Sequence, residues 1–151
     1  MSFPFPAPMR LALDLAAAAA QEGEVPVGAV ITIGETIVAT SANAMRGDND
    51  PTAHAEMTAI RRAAATLESS RLDDCCLWVT LEPCAMCAGA IALARLARLY
   101  YAADDPKGGA VVHGPRTFSQ PTCHHRPEVY AGIGAAEAGA QLRSFFATRR
   151  S

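Results

Sequence analysis

Residues Cys75 to Ala102 read CCLWVTLEPCAMCAGAIALARLARLYYA. Cys75 to Leu81 is a short apolar run of the kind that forms a buried strand, and Cys84 to Arg95 has the length and small-residue composition of a helix. Leu96 to Ala102 then predicts a second strand after a short connection. A strand, a helix and a strand within about 30 residues make a crossover unit, and such a unit sets its two strands parallel in one sheet. An α/β fold follows from this stretch.

The flanking sequence extends the same architecture. Pro8 to Glu22 predicts a helix with Pro8 in its first turn and Leu11, Leu15 and Ala18 on one face. Val25 to Ile33 and Thr36 to Thr40 are β-branched runs separated by Gly34-Glu35, a hairpin pattern. The polar segment Asn43 to Asp50 leads to a helix ending near Thr66, in which Asp50 or Thr52 is the expected cap and Ala53, Met57, Ile60 and Ala64 are the apolar positions. Asp104 to His125, broken by Pro106, Gly108, Gly109, Gly114, Pro115 and Pro121, has no sustained period and reads as a long functional loop. A helix from Ala135 to Arg149, bearing Leu142, Phe145 and Phe146, closes the chain.

With 151 residues, half of them hydrophobic, the chain is expected to form a single domain over residues 1–151 with a substantial core. Charged residues make up 19% and the formal net charge is −2, which excludes an overall basic field, so a nucleic-acid partner would be held by a local patch. The five cysteines are an odd number, and the Cys84-x-x-Cys87 spacing suits metal ligation better than a disulfide framework, pointing to the reducing cytoplasm. Leu11 to Ala20 superficially resembles a secretory apolar region, but Asp14 interrupts it and it runs into a strand the domain needs. No apolar run approaches the roughly 20 residues that span a bilayer, so a soluble protein without membrane association is expected.

The chemistry rests on His54-Ala55-Glu56 followed by Pro83-Cys84-Ala85-Met86-Cys87. Each half alone means little. Together, each at the start of a helix with a buried strand between them, they match the signature of zinc deaminases, H-x-E…P-C-x-x-C. Hydrolytic deamination needs a water that is nucleophilic at neutral pH, and Zn2+ with three protein ligands and one open position lowers the pKa of water from 15.7 towards about 7. His54, Cys84 and Cys87 supply one imidazole and two thiolates, which the free N–H groups of a helix start favour in their ionised form. Glu56 is the candidate proton shuttle between attacking water and departing amine. Its other reading is an exposed glutamate pairing with Arg61 or Arg62. Residues two apart do not face each other on a regular helix, so His54 and Glu56 serve one centre only if it lies off the helix end.

At these residues the chain resembles the bacterial tRNA-specific adenosine deaminase family. The likeness also runs through Glu24-Val25-Pro26-Val27-Gly28-Ala29-Val30, Asp50-Pro51-Thr52-Ala53, Thr80-Leu81-Glu82, Asp105-Pro106-Lys107-Gly108-Gly109-Ala110 and Phe145-Phe146. It implies a three-layer cytidine-deaminase-like fold with a mixed central sheet of about five strands flanked by helices, a homodimer, and one Zn2+ per chain. The implied reaction is hydrolysis of the wobble adenosine of a tRNA anticodon stem-loop to inosine, with release of ammonia. By the same resemblance Asn43 hydrogen-bonds the flipped base, Asp105 and Lys107 hold the flanking nucleotides, Phe146 stands at the mouth of the pocket, and Arg149 and Arg150 touch phosphates. A turn for Asn43 and core packing for one of the two phenylalanines remain open.

A deaminase of a free base or nucleoside, such as guanine or cytosine, would share both motifs, although the Asp105 to Ala110 segment favours the tRNA enzyme. A structural zinc module would need a fourth ligand, and none has suitable spacing near Cys84 and Cys87. Cys75 and Cys76 read as small core residues. For Cys123, His124 and His125 a second metal, imidazoles beside an RNA path and plain surface residues are all open, and His113 has no assigned role.

Overall fold

A computed structural model describes residues 5–149. In chain order the elements are α1 (Ala7–Gln21), β1 (Gly28–Ile33), β2 (Thr36–Ala42), α2 (Ala55–Leu67), β3 (Cys76–Leu81), α3 (Ala85–Ala94), β4 (Arg98–Ala103), a 3-10 turn (Thr117–Ser119), β5 (Glu128–Ala131) and α4 (Ala135–Thr148). The sheet order is β2-β1-β3-β4-β5. β1 is antiparallel to both β2 and β3, whereas β3, β4 and β5 run parallel. The crossover through α3 therefore sets β3 beside β4 as the sequence predicts.

Strand side chains alternate between two cores. Ala29, Ile31, Leu77, Val79, Leu99 and Tyr101 pack with Ala55, Ala59 and Ala63 of α2 and with Ala88 and Ile91 of α3. Val30, Trp78 and Tyr100 point the other way, towards Met9, Ala12 and Leu13 of α1 and Ala138 of α4. Helices thus cover both faces of the sheet, giving the three-layer mixed arrangement expected from the resemblance. Coverage of both faces is also why Cys75 to Leu81 reads as a continuous apolar run.

The α1 layer lies very close to the sheet. A Cβ placed on Gly28 would stand 2.0 Å from the carbonyl oxygen of Ala12, so the helix backbone occupies the space a side chain would need. The Gly28 N–H also donates to Thr80 Oγ1 at 3.2 Å, tying β1 to β3.

Several expectations need correction. The buried face of α1 is Met9, Ala12, Leu13, Ala16 and Ala19, while Leu11 and Leu15 are half-buried and Ala18 is exposed. With alanine on nearly every side of this helix, apolar spacing cannot locate the stripe, and the close approach of the Ala12 and Ala16 backbone to Gly28 sets which side meets β1. α2 starts at Ala55, and its buried stripe is Ala55, Ala59 and Ala63, flanked by Met57, Ile60 and Ala64. Asp50 does not cap it. Its Oδ1 accepts from the N–H and hydroxyl of Thr52 at 2.8 Å each, closing a local turn instead. Val25 to Val27 precedes β1, and β4 begins at Arg98 rather than Leu96.

β5 escaped the pattern reading because all four of its residues are exposed and carry no apolar alternation. Cross-strand pairs place it instead: Tyr130 stacks on Tyr100, which stacks on Trp78, with ring centroids 5.1 and 3.8 Å apart. Glu128 adds an ion pair to Arg98 at 2.8 Å. The Asp104 to His125 segment is irregular apart from the short turn that buries Phe118. No helix among the described residues is long and apolar enough to cross a membrane.

Candidate active site

Two helix starts meet at one point. His54 and Cys84 occupy the N-cap positions of α2 and α3, both with extended backbone, so their side chains project off the helix ends. Cys87 lies in the first turn of α3. The Sγ atoms of Cys84 and Cys87 are each 3.6 Å from His54 Nδ1. These three side chains are the group of potential metal ligands brought together among the described residues, with donor atoms all within 4.8 Å of one another.

The same geometry answers the question of facing. His54 lies outside the helix proper and Glu56 is its second residue, so both approach a centre beyond the helix end. Glu56 is 4% exposed. Arg62 donates to the carbonyl of Thr40, and the surface ion-pair reading of Glu56 is set aside by that burial. Desolvation pushes the Glu56 carboxyl up to about 7, opposed mainly by its own backbone N–H, while the thiol of Cys84 raises it further. The two thiols are pushed in opposite directions. The neighbouring Cys87 thiol and, against the cost of burial, the N–H groups of Cys87 and Met86 bring the Cys84 thiol down to about 5. Beside Cys84 and more deeply buried, the Cys87 thiol is pushed up.

Asn43 sits between β2 and α2, and its Oδ1 accepts from the Ala55 N–H at 2.8 Å. The cap of α2 therefore comes from a residue twelve positions upstream. The loop carrying Asn43 is held by Glu24, a buried carboxylate that accepts from the N–H groups of Arg46 at 3.0 Å and Gly47 at 2.8 Å.

At the carboxyl ends of β3 and β4 lies a groove of about 1040 Å³, lined by Val25, Leu81, Asp105, Lys107, Phe146 and Arg149 among others. Ligands of open α/β sheets bind at this end of the strands. None of His54, Glu56, Cys84 and Cys87 lines this groove. The two features are joined by the run Leu81-Glu82-Pro83-Cys84, which passes from the groove to the thiols. Phe146 is 47% exposed, whereas Phe145 is buried beneath the Arg149 guanidinium, 4.3 Å from its ring centroid. Arg150 lies outside the described residues.

Three residues beside the candidate site have no role in the sequence analysis. Glu82, with its side chain fully buried, accepts from the N–H groups of Asp105, Val111, Val112 and His113 at 3.0 to 3.3 Å, and from His113 Nδ1 at 2.8 Å. Burial alone would raise its carboxyl, but these donors, led by Asp105 and His113, hold it below the usual range. An acidic residue closing an apolar strand was the available signal. His113, unassigned before, is its partner. Arg46 was the third: its Nη1 and Arg149 Nη2 both lie within 3.6 Å of the point where a Gly23 Cβ would stand, so two guanidinium groups converge at the groove's rim.

The Cys123 cluster has a local role. Cys123 Sγ donates to the carbonyl of His125 at 3.2 Å, and His125 Nε2 to that of Leu96 at 2.7 Å, fastening the loop to the start of β4. His124 is exposed, and the three residues form no metal-ligand group among the described residues.

Residues 6–139 match the family model of MafB19-like deaminases. A tRNA-specific adenosine deaminase of Agrobacterium fabrum (strain C58) is 53% identical over 142 residues, covering 94% of this chain and 93% of its own. The chain belongs to the tRNA-specific adenosine deaminase family. A solved structure from studies of A-to-I editing by tRNA:A34 deaminases at the wobble position of transfer RNA shares 52% identity with a TM-score of 0.89, over 90% of this chain and 99% of that one. The guanine deaminase of Bacillus subtilis is more distant, at 33% identity and a TM-score of 0.66 over 96% of this chain and 93% of that one. The fold is thus common to deaminases of polymeric and free bases, and the family membership rests on the higher identity.

Proposed function

We propose that this chain, as a single domain over residues 1–151, hydrolyses adenosine to inosine at the wobble position of a tRNA anticodon, with one zinc ion per chain, as a cytoplasmic homodimer. The observation that carries this reading is the His54, Cys84 and Cys87 triangle with buried Glu56 beside it. A tetrahedral ion with Zn–S near 2.3 Å and Zn–N near 2.0–2.1 Å sets its sulfur and nitrogen ligands about 3.6 Å apart. The sulfur–nitrogen spacing of 3.6 Å in the protein fits that donor set. When bound, zinc supplies Lewis-acid activation of water at neutral pH. The identity to the Agrobacterium relative and the A34-deaminase likeness support a tRNA substrate over a free base.

The chain's own residues carry the rest. Glu56 takes a proton from the attacking water and delivers it to the amine leaving the adenine ring, so one carboxylate serves both transfers. Asn43 has its carbonyl oxygen engaged with Ala55, which leaves its amide Nδ2 to meet the base. Asp105, whose Oδ1 accepts from the N–H groups of Lys107 and Gly108, fixes the turn that presents Lys107 to the flanking nucleotides. Phe146 offers a ring for stacking in the groove, and Arg149 and Arg150 meet phosphates together with Arg46. Leu93 on α3 is 84% exposed, an apolar surface that a second copy would cover.

Incubating the protein with a tRNA bearing adenosine at the wobble position, and separately with guanine, cytosine and adenosine, tests the reading. Inosine at the wobble position with ammonia released is the expected result, and ammonia from guanine alone would assign the chain to the free-base deaminases. Binding should also be local rather than driven by net charge. Lys107→Ala, Arg149→Ala and Arg46→Ala are each expected to weaken stem-loop binding and reduce the log–log salt slope by roughly 0.7 to 0.9 per lost phosphate contact. Titrations at several salt concentrations that leave the slope unchanged would place the basic patch elsewhere.

A further inference from the structure

The carboxylate of Glu82 sits between two parts of the proposed machinery without belonging to either. It is fully buried at the end of β3, two residues before Cys84. Its Oε1 accepts from the Asp105 N–H and from His113 Nδ1, and its Oε2 from the N–H groups of Val111, Val112 and His113. Most of these donors come from the far end of the segment 105–113, and one from its start, so a single side chain closes the segment into a loop. The next residue contributes as well: the Pro83 carbonyl accepts from the Ala110 N–H at 2.8 Å. Gly109 is pressed against the same carboxylate, where an added Cβ would stand 2.4 Å from the Glu82 carboxyl carbon.

The segment so held carries Asp105, Lys107 and Gly108 into the groove. At its tip, local turns shape it, with Asp105 accepting from the Lys107 and Gly108 N–H groups and the Gly109 N–H donating to the Asp105 carbonyl at 2.8 Å. Pro106, Lys107 and Gly108 at the tip of the segment are exposed, while Gly109 to Val111 are buried against the Glu82 end, and an exposed tip of this kind loses order easily when the hydrogen bonds at its base go. A buried acceptor facing several N–H donors is also hard to replace, because each donor left unpaired away from water carries a penalty.

We propose that Glu82 is a positioning residue for substrate binding: it touches no substrate, and by holding segment 105–113 against the end of β3 it fixes Asp105 and Lys107 in the arrangement that grips the polynucleotide. This rests on the tRNA reading above. Glu82→Gln is the informative variant, since it keeps the size of the side chain but turns one acceptor oxygen into a donor that opposes at least one N–H group. Glu82→Ala removes the acceptor altogether, and a failure of that variant to fold would leave Glu82→Gln to decide.

With the metal-loaded protein, three readouts separate the outcomes. In Glu82→Gln the amides of Asp105, Val111, Val112 and His113 are expected to exchange with solvent at least tenfold faster, with the rest of the sheet unchanged. KM for the anticodon stem-loop is expected to rise at least tenfold while kcat stays within about threefold and metal content stays at the parent's value. Faster exchange with an unchanged KM would overturn the proposal, since the loop's order would then not matter to binding. A fall in kcat together with metal loss would overturn it too, making Glu82 a support of the thiol site. If the parent protein does not bind the stem-loop, the tRNA reading fails by that result. Amide exchange then decides the anchor alone, with release confined to 105–113 upholding it and unchanged protection overturning it.

Discussion

Glu56→Ala is expected to lower turnover of a wobble-adenosine stem-loop by about 10²- to 10⁴-fold, the usual worth of general acid–base catalysis, while the fold and the proposed zinc content stay as in the parent. The basis is position. Glu56 is buried at the second residue of α2, next to the point where His54, Cys84 and Cys87 converge, and it is the carboxylate assigned to move protons there. It is not itself needed to bring the three ligand atoms together, which the two helix ends do. Alanine has high helix propensity and the position follows the cap, so α2 should form as before. Steady-state kinetics with metal analysis on the same sample check this. A variant within threefold of the parent would end the catalytic role, and loss of metal alongside activity would make Glu56 a structural residue.

Gly28→Ala is expected to be strongly destabilising, because among the chain's glycines it is the one where an added Cβ meets another atom most closely. The new Cβ would stand 2.0 Å from the Ala12 carbonyl oxygen, 2.9 Å from its carbonyl carbon and 3.0 Å from the Ala16 nitrogen, all of them backbone atoms. No side-chain rotation relieves such contacts. Either α1 lifts off the sheet or β1 shifts, and β1 is fixed by pairing with both β2 and β3. Overpacking typically costs about 1–3 kcal/mol and occasionally more, and an obstruction made of the α1 backbone against a strand paired on both edges puts this site at or above about 3 kcal/mol. For a chain of this size that corresponds to a drop in Tm of roughly 6–12 °C. Thermal unfolding of the variant is the check, and a Tm within 2 °C of the parent's would show that α1 is not packed as described.

What the sequence disclosed and what it hid follow one physical division. The meeting of His54, Cys84 and Cys87 was legible because potential ligands declare themselves by side-chain type and their spacing reflects two helix starts around one strand. The crossover was legible because both faces of β3 are covered, which leaves an unbroken apolar run. Glu82 and Glu24 were not, because they act on backbone N–H groups more than twenty positions away, and a backbone donor leaves no mark on the residue types around it. Asn43 showed the same problem in part: the sequence offered Asp50 or Thr52 as the cap of α2, and the acceptor came from across the loop. β5 lacked a burial pattern because stacking of Tyr130 on Tyr100 and the Arg98–Glu128 pair place it at the edge.

A polymeric substrate has consequences that a free base does not share. An anticodon loop base is already unpaired, so turning it into a pocket costs less than from a duplex, and contacts to its neighbours help to position it. Binding energy from those remote contacts raises the rate at the reacting base only if the groove beside Leu81 and Asp105 engages the flanking nucleotides. The most direct test is therefore kcat/KM measured on one preparation with an anticodon stem-loop, with free adenosine and with guanine. The stem-loop is expected to exceed both small substrates by more than about 10³, and a free base turned over as efficiently as the stem-loop would contradict the account.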